Sequence, residues 1–278
     1  MKNLRKFTLT DIIYRFFAWL LVLVFIYPVY FTVISSFKNN NEIWDTMFSL
    51  PTTWRFSNYY DAVTNVNIFR SIFNSVMFST CATLIMVVAV TMASYVISRN
   101  MLRISGALRL YYLLCFMIPA YCMLIPVVKI FTDFHLRNNY LSMIVLYAGL
   151  NFPMSMFIIT GYIRSINKEI DEAAYMDGCN MFTLVFRIIM PIAAPGIATA
   201  SIMTFLSVYN ELIYSNTLLD LKSMQTISVT LLAFKSERFT SLGPMLAAIV
   251  LTIIPIMIAY IIFQEQIQRG MTAGSVKG

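Results

Sequence analysis

Residues 71–97 read SIFNSVMFSTCATLIMVVAVTMASYVI, with no Asp, Glu, Lys, Arg or His anywhere in the run. A helix of about 20 mostly apolar residues is long enough to cross the hydrocarbon core of a bilayer, so this stretch is predicted to span a membrane. Moving outward in both directions, five further runs have the same character: Phe16–Ile34, Leu110–Val128, Leu141–Ile163, Ile192–Ile213 and Leu242–Phe263. Of all six, only Ile192–Ile213 holds a charged residue, Glu211, near its end. The whole chain is 59% hydrophobic and 12% charged, about half the charged share of a soluble domain, which excludes a water-soluble fold. Barrel strands would alternate in polarity over short segments, and these runs do not. Backbone groups in lipid must be satisfied within the segment. The expectation is therefore an all-α membrane protein, one transmembrane domain over residues 1–278 with six spans.

Proline interrupts five of the runs, at Pro28, Pro119, Pro126, Pro153, Pro195 and Pro255, where helix kinks or hinges are expected. Lys2, Arg5 and Lys6 ahead of the first run look like the start of a secretory signal. The run is longer than a signal's apolar region and lacks a small-residue cleavage site after it, so a retained first span is expected. Cys81, Cys115, Cys122 and Cys179 have no ligand-like spacing and read as small buried apolar residues.

Six spans leave both ends on one side. With the termini inside, the inner segments hold twelve Lys and Arg and the outer segments eight. Lys2, Arg5, Lys6 and Arg15 lead the chain, and Arg99, Arg103 and Arg109 follow the second run without an acid among them. The outer loops mix in Glu42, Asp45, Asp61, Asp133, Asp220 and Glu237. Basic residues in short loops mark the cytoplasmic side, so both termini are expected there. The net charge of +7 then reads as an orientation signal beside anionic membrane lipid, with no nucleic-acid partner implied.

In that orientation, residues 164–191 form a cytoplasmic loop too long for a plain connection. Asn167 is a predicted N-cap, with Glu169, Asp171 and Glu172 in the first turn, where acids complement the helix dipole. Ile170, Ala173, Ala174 and Asp177 share a face at helical spacing, and Gly178 is placed to end the helix in a left-handed turn. A second amphipathic segment, with Phe182, Val185, Phe186 and Ile189 on one face, precedes Pro191 and Pro195. A short helix of this kind is suited to entering a cleft on a partner protein.

The run Glu172-Ala173-Ala174, then Gly178, then Ile189-Met190-Pro191, resembles the Glu-Ala-Ala loop of permease subunits in bacterial ABC importers. The string from Arg164 to Pro195 is similar to the carbohydrate-uptake branch, specifically the smaller, six-span permease of the maltose type. Further resemblances follow in order along most of the chain: Ser36-Phe37-Lys38 with Glu42-Ile43, Asn74-Ser75, Ile118-Pro119, Leu124-Ile125-Pro126, Tyr209-Asn210-Glu211, and the end from Arg269 to Gly278. Two departures stand out, Asn167 where such permeases carry proline and Met190 where they carry leucine. The resemblance implies a bacterial cell-membrane protein that couples to an ATPase dimer through Glu172, Ala173, Ala174, Asp177, Gly178 and Pro191. Gly274 and Lys277 are implied as tail contacts with the same ATPase. A second homologous permease and an extracytoplasmic sugar-binding protein complete the implied assembly, with ATP and magnesium bound on the ATPase and no cofactor on this chain.

Polar groups within spans point to function by default, and this places Tyr121, Asn151, Tyr209, Asn210 and Glu211 as candidates for the solute path. Helix tying is the competing role for each. An intramembrane enzyme lacks its parts: the single histidine, His135, lies in an outer loop, and no Gly-rich phosphate loop ending in Gly-Lys-Ser/Thr occurs. A self-contained secondary transporter or channel for a small polar solute is the alternative reading, and it would call for carboxylates near mid-membrane.

Overall fold

The computed structural model describes residues 9–64, 67–232, 234 and 242–275. No strand occurs among them. The helices are α1 (Leu9–Ser35), α2 (Asn40–Asp45), α3 (Ser57–Thr64), α4 (Ile68–Ser98), α5 (Ser105–Met117), α6 (Leu124–Asp133) and α7 (Tyr140–Ser165). They continue with α8 (Glu169–Met176), α9 (Met181–Ile192), α10 (Ala194–Tyr209), α11 (Ile213–Leu218), α12 (Ile227–Leu232) and α13 (Leu242–Ser275). Four of them, α1, α4, α7 and α13, are long and apolar enough to cross a membrane. Two further pairs qualify only as bent units, Ser105–Met117 with Ala120–Asp133 at 92° and α9 with α10 at 82°. Among the described residues the count is therefore four unbroken candidate spans, or six if each bent pair is one span.

The third predicted span, Leu110–Val128, is thus not a single helix. Ile118 precedes Pro119 and takes an extended conformation, with ψ at 119°, because the proline ring disfavours the α region for its neighbour. The carbonyl of Ala120, just past the break, accepts the Tyr214 hydroxyl at 2.6 Å. Irregular backbone at membrane depth is tolerated where protein supplies such a partner. The fifth predicted span, Ile192–Ile213, is also shorter than expected: α10 stops at Tyr209. Pro28, Pro153 and Pro255 lie inside continuous helices.

Two compact units emerge. The first combines the chain up to Ile68 with Leu231–Ile253. Its polar knot follows α1. Asn39 accepts the Glu42 amide at 2.8 Å and so caps α2. The fully buried Lys38 donates to the Thr46 carbonyl at 2.7 Å, and Glu42 Oε1 accepts the Thr52 amide at 2.6 Å. Asn58 donates to the carbonyls of Ser36 and Lys38 at 2.8 and 2.9 Å. A Cβ on Gly243 would lie 2.8 Å from the Lys38 carbonyl oxygen, so glycine is what lets α13 start against this knot. The second unit, Phe69–Thr230 with the chain from Ile254 on, holds two apolar clusters. One joins Met86, Val90 and Tyr95 of α4 to Ile159 and Ile163 of α7, Ala174 of α8, and Leu184, Val185 and Ile189 of α9. The other joins Phe78 of α4 to Met143 and Tyr147 of α7 and to Tyr214 and Leu218 of α11. Both α4 and α7 run through the two clusters. Where α7 meets α10, a Cβ on Gly196 would come within 2.7 Å of the Tyr162 ring.

Two consequences can be measured. Replacing Gly196 by Leu forces α7 and α10 apart, and a loss of about 1–3 kcal/mol is expected from overpacking, read as a lower thermal midpoint of the detergent-purified protein. In the knot, the Thr52 amide, foremost, with Asn39 and the Lys38 charge in support, holds the Glu42 carboxyl below its ordinary 4.5 against the opposing effect of burial. A depressed carboxyl contributes stability above its ordinary value and loses it as pH falls through the lowered one. Hydrogen exchange at Thr52, corrected for intrinsic rates, is expected to lose protection in acid in the native chain, whereas Glu42→Gln removes that pH dependence.

Candidate functional site

Helix α8 has eight residues, too few to be stable alone in water, so its ends and its packed face have to hold it. At its start the Asn167 carboxamide accepts the Glu169 amide at 3.2 Å and donates to the Glu169 carboxylate at 3.0 Å. Asn167 therefore does bind the helix start, although the N-cap position itself falls one residue later, on Lys168. At its end Gly178 has φ +81°. The Cys179 amide reaches back to the Ala174 carbonyl and the Gly178 amide to Tyr175, both at 3.0 Å. This is the Schellman pattern that a left-handed residue closes, as expected for Gly178.

The packed face differs from the expected one. Asp171 and Ala174 are buried and Ile170 is half-buried, while Ala173 and Asp177 are exposed. The cause is Arg99, just beyond the end of α4. Its Nε lies 2.5 Å from Asp171 Oδ2, its Nη2 donates to Asp171 Oδ1 at 3.2 Å, and its Nη1 donates to the Ile166 carbonyl at 3.0 Å. Side-chain exposures of only 7% and 10% mark a pair largely withdrawn from solvent, and burying a charge demands such a partner. The pairing turns Asp171 inward and rotates Ala173 and Asp177 outward. The outer surface of α8 is consequently made by Glu169, Glu172, Ala173, Tyr175, Met176 and Asp177.

Past Gly178, Asn180 caps α9 by accepting the Thr183 amide at 2.9 Å. Its middle, Leu184–Ile189, is wound as a π-helix. The wider winding changes which residues face inward: Leu184, Val185 and Ile189 are buried, Phe186 is half-buried, and Phe182, expected on that face, is exposed. Pro191 is exposed at the last turn of α9, before the bend. Gly274 falls in the last turn of α13, and Lys277 lies outside the described residues.

The second expected site is met in part. Tyr121, Asn151 and Glu211 line one cavity of about 100 Å³ together with Tyr147, Ser207 and Tyr214. Tyr209 and Asn210 are not among its walls. Tyr209 is buried and stacks on Phe205 at 5.9 Å between ring centroids, and the Asn210 side chain turns back to the Leu206 carbonyl at 2.9 Å. Glu211 accepts the Tyr214 amide at 2.7 Å, the Ser215 amide at 3.0 Å and the Tyr147 hydroxyl at 3.0 Å. Its carboxylate thereby satisfies the amides that start α11 where α10 has ended. Tyr147 and Tyr214 were not singled out from sequence. The usable signal for Tyr147 was its position one helical turn before Asn151, whose amide donates to the Tyr147 carbonyl at 2.9 Å. Among the described residues no group of His, Cys, Asp and Glu is placed to hold a metal ion.

Residues 85–273 match the family described as binding-protein-dependent transport system inner membrane component. The chain is 31% identical over its full length to the Probable ABC transporter permease protein YurM of Bacillus subtilis (strain 168), covering 92% of that protein. It is 29% identical to the Diacetylchitobiose uptake system permease protein NgcG of Streptomyces coelicolor (strain ATCC BAA-471 / A3(2) / M145), over 91% of this chain and 85% of that one. Among solved structures, a chain of a bacterial ABC transporter involved in the import of the acidic polysaccharide alginate shares the fold. Its TM-score is 0.79 at 20% identity, over 94% of this chain and 98% of that one.

The Glu211 arrangement yields a direct test. Glutamine has one acceptor oxygen for three donors, and an unmet buried donor costs about 1–3 kcal/mol. Glu211→Gln is expected to lower the thermal midpoint of the purified protein, while Asn210→Ala, at an exposed position, leaves it close to the native value.

Proposed function

Since this chain belongs to the family of binding-protein-dependent transport system inner membrane components, we propose that it is one of two membrane-spanning subunits of an ATP-driven sugar importer, with oligosaccharides as cargo. It is a transport component of the membrane and not an enzyme. Permeases of this family work with a separate ATPase and a substrate-binding protein. Here the second permease is a homologous chain, so the pore is a heterodimer, and ATP with magnesium is bound and hydrolysed on an ATPase dimer. The sugar reading is supported by the names of several relatives, among them the diacetylchitobiose permease above and the Multiple sugar-binding transport system permease protein MsmG of Streptococcus mutans serotype c (strain ATCC 700610 / UA159), 30% identical over 90% of this chain.

The observation that carries the mechanism is the outer surface of α8. Its exposed Ala173 allows close approach of a partner, Glu172 offers a charge-assisted contact, and Tyr175 and Met176 present apolar area, with Met176 88% exposed. We place this surface, with Asp177 and Gly178, in a cleft of the ATPase, and both termini in the cytoplasm, consistent with the excess of Lys and Arg on that side. Closure of the ATPase dimer then moves α8 and the helices it packs on, switching the spans between inward- and outward-open states. Pro191 lies in the last turn of α9, and Gly274 with Lys277, near the end of the sequence, supplies a secondary contact with the ATPase. On the solute path, Tyr121 and Asn151 are assigned to sugar contact, the ring by stacking and the amide by hydrogen bonding, while Glu211 holds the local backbone.

The test is transport by the complex reconstituted with its second permease, ATPase and binding protein, offered maltotriose, diacetylchitobiose and an alginate oligosaccharide. Glu172→Ala and Gly178→Pro are each expected to abolish nearly all ATP-driven uptake with the spans still inserted. Unchanged uptake in both variants removes the coupling assignment, and solute movement by this chain without an ATPase would replace it with a secondary transporter.

A further inference from the structure

Asn100, the residue after Arg99, has φ +54°. The Met101 amide returns to the Val96 carbonyl at 3.1 Å and the Asn100 amide to Ile97 at 3.3 Å. The end of α4 is therefore closed by its own Schellman turn, which fixes the direction in which Arg99 leaves the helix. From there one guanidinium reaches two other elements. It meets both carboxylate oxygens of Asp171 in α8 and also the carbonyl of Ile166, the residue that caps the C-terminus of α7. Arginine is the side chain suited to this, since its planar fork carries five donors and keeps its charge when withdrawn from water. Lysine could reach one of these partners and would leave the others unmet.

We propose that Arg99 is the positioning residue that makes α8 one rigid body with the adjoining ends of α4 and α7, so that a displacement applied to α8 is delivered to both helices rather than absorbed in the loop. The inference rests on the assignment of α8 as the ATPase contact, but the geometry on which it stands lies within this chain. Residues 166–168 connect α7 to α8 with little regular structure of their own. Without the ion pair, α8 would be held by the packing of Ala174 and Ile170, by a side-chain hydrogen bond between Tyr175 and Tyr95 of α4, and by its two neighbouring loops. A helix so held can rock. The triple attachment by Arg99 removes that freedom, and it does so on the side of α8 facing away from the proposed ATPase contact.

The experiment places spin labels at Met101→Cys, just past α4, and Lys168→Cys, at the start of α8 and outside the proposed ATPase contact, both exposed positions. It is done in the full complex with the four native cysteines replaced. Distances between the labels are measured in nucleotide-free complex and in complex trapped with MgATP and vanadate. The expected result is one narrow distance shared by the two states. In Asp171→Asn and Arg99→Lys, the distribution is expected to broaden or to shift on trapping, with vanadate-sensitive ATP hydrolysis reduced about 10-fold, as befits the loss of a buried charge partner. The exchange Arg99→Asp with Asp171→Arg is expected to restore the narrow distance and part of the hydrolysis, which a purely local packing role would not do. A native distance that changes between states overturns the proposal, as does an Asp171→Asn complex with native distance and hydrolysis. Failure of the underlying assignment shows separately: a photoreactive maleimide on Ala173→Cys would then never attach to the ATPase subunit, whatever the label distances.

Discussion

Inside a bilayer no water is at hand for a free N–H or C=O group, so an interruption in a spanning helix persists only where protein answers it. That constraint organises the second unit of this chain. The break after α5 leaves the Ala120 carbonyl to the Tyr214 hydroxyl. The end of α10 leaves the first amides of α11 to the Glu211 carboxylate. Beyond the spans the same need recurs, since the buried Ile166 at the end of α7 has its carbonyl met by Arg99. In each case a polar side chain that looks costly in an apolar sequence is positioned by the backbone it satisfies.

The loop between α7 and α10 shows how a short helix is made dependable. Its own propensity is insufficient at eight residues. Order comes from the Asn167 carboxamide at one end, the Gly178 turn at the other, Ala174 in the apolar cluster, and the Asp171 carboxylate against Arg99. Buried ion pairs are poor general stabilisers, since desolvation offsets much of the attraction. Their better use is to fix one arrangement among several of similar packing energy. Here the arrangement fixed is the rotation of α8, and the rotation decides which residues remain on the surface for a partner.

Much of this was legible in the chain. Four of the six apolar runs appear within unbroken helices and two within bent pairs, and the α8 helix with its glycine stop stands where Asn167 and Gly178 bracket it. The solute-path candidates were legible only in part. Tyr121, Asn151 and Glu211 converge, but Tyr209 and Asn210, adjacent in sequence to Glu211, do not join them. The helix α10 stops at Tyr209, so Asn210 and Glu211 follow a turn and not a helical period, and adjacency along the chain carries little information on which side chains share a wall. Phe182 was misplaced for a related reason, since π winding alters the register that a 3.6-residue period assumes.

By itself the amino-acid order determined the medium, the helical class and the punctuation of the chain, because these depend on local quantities: the length of an apolar run, the conformational limits set by proline, and the left-handed freedom of glycine. Tertiary structure alone decided that Arg99 and Asp171, separated by some seventy positions and unremarkable in either stretch, form a buried pair, and that α5 and α10 bend sharply from their neighbours. Pairings over such distances are selected by the packing of whole helices. No local periodicity encodes which charge across the fold will be close enough to compensate another's loss of water.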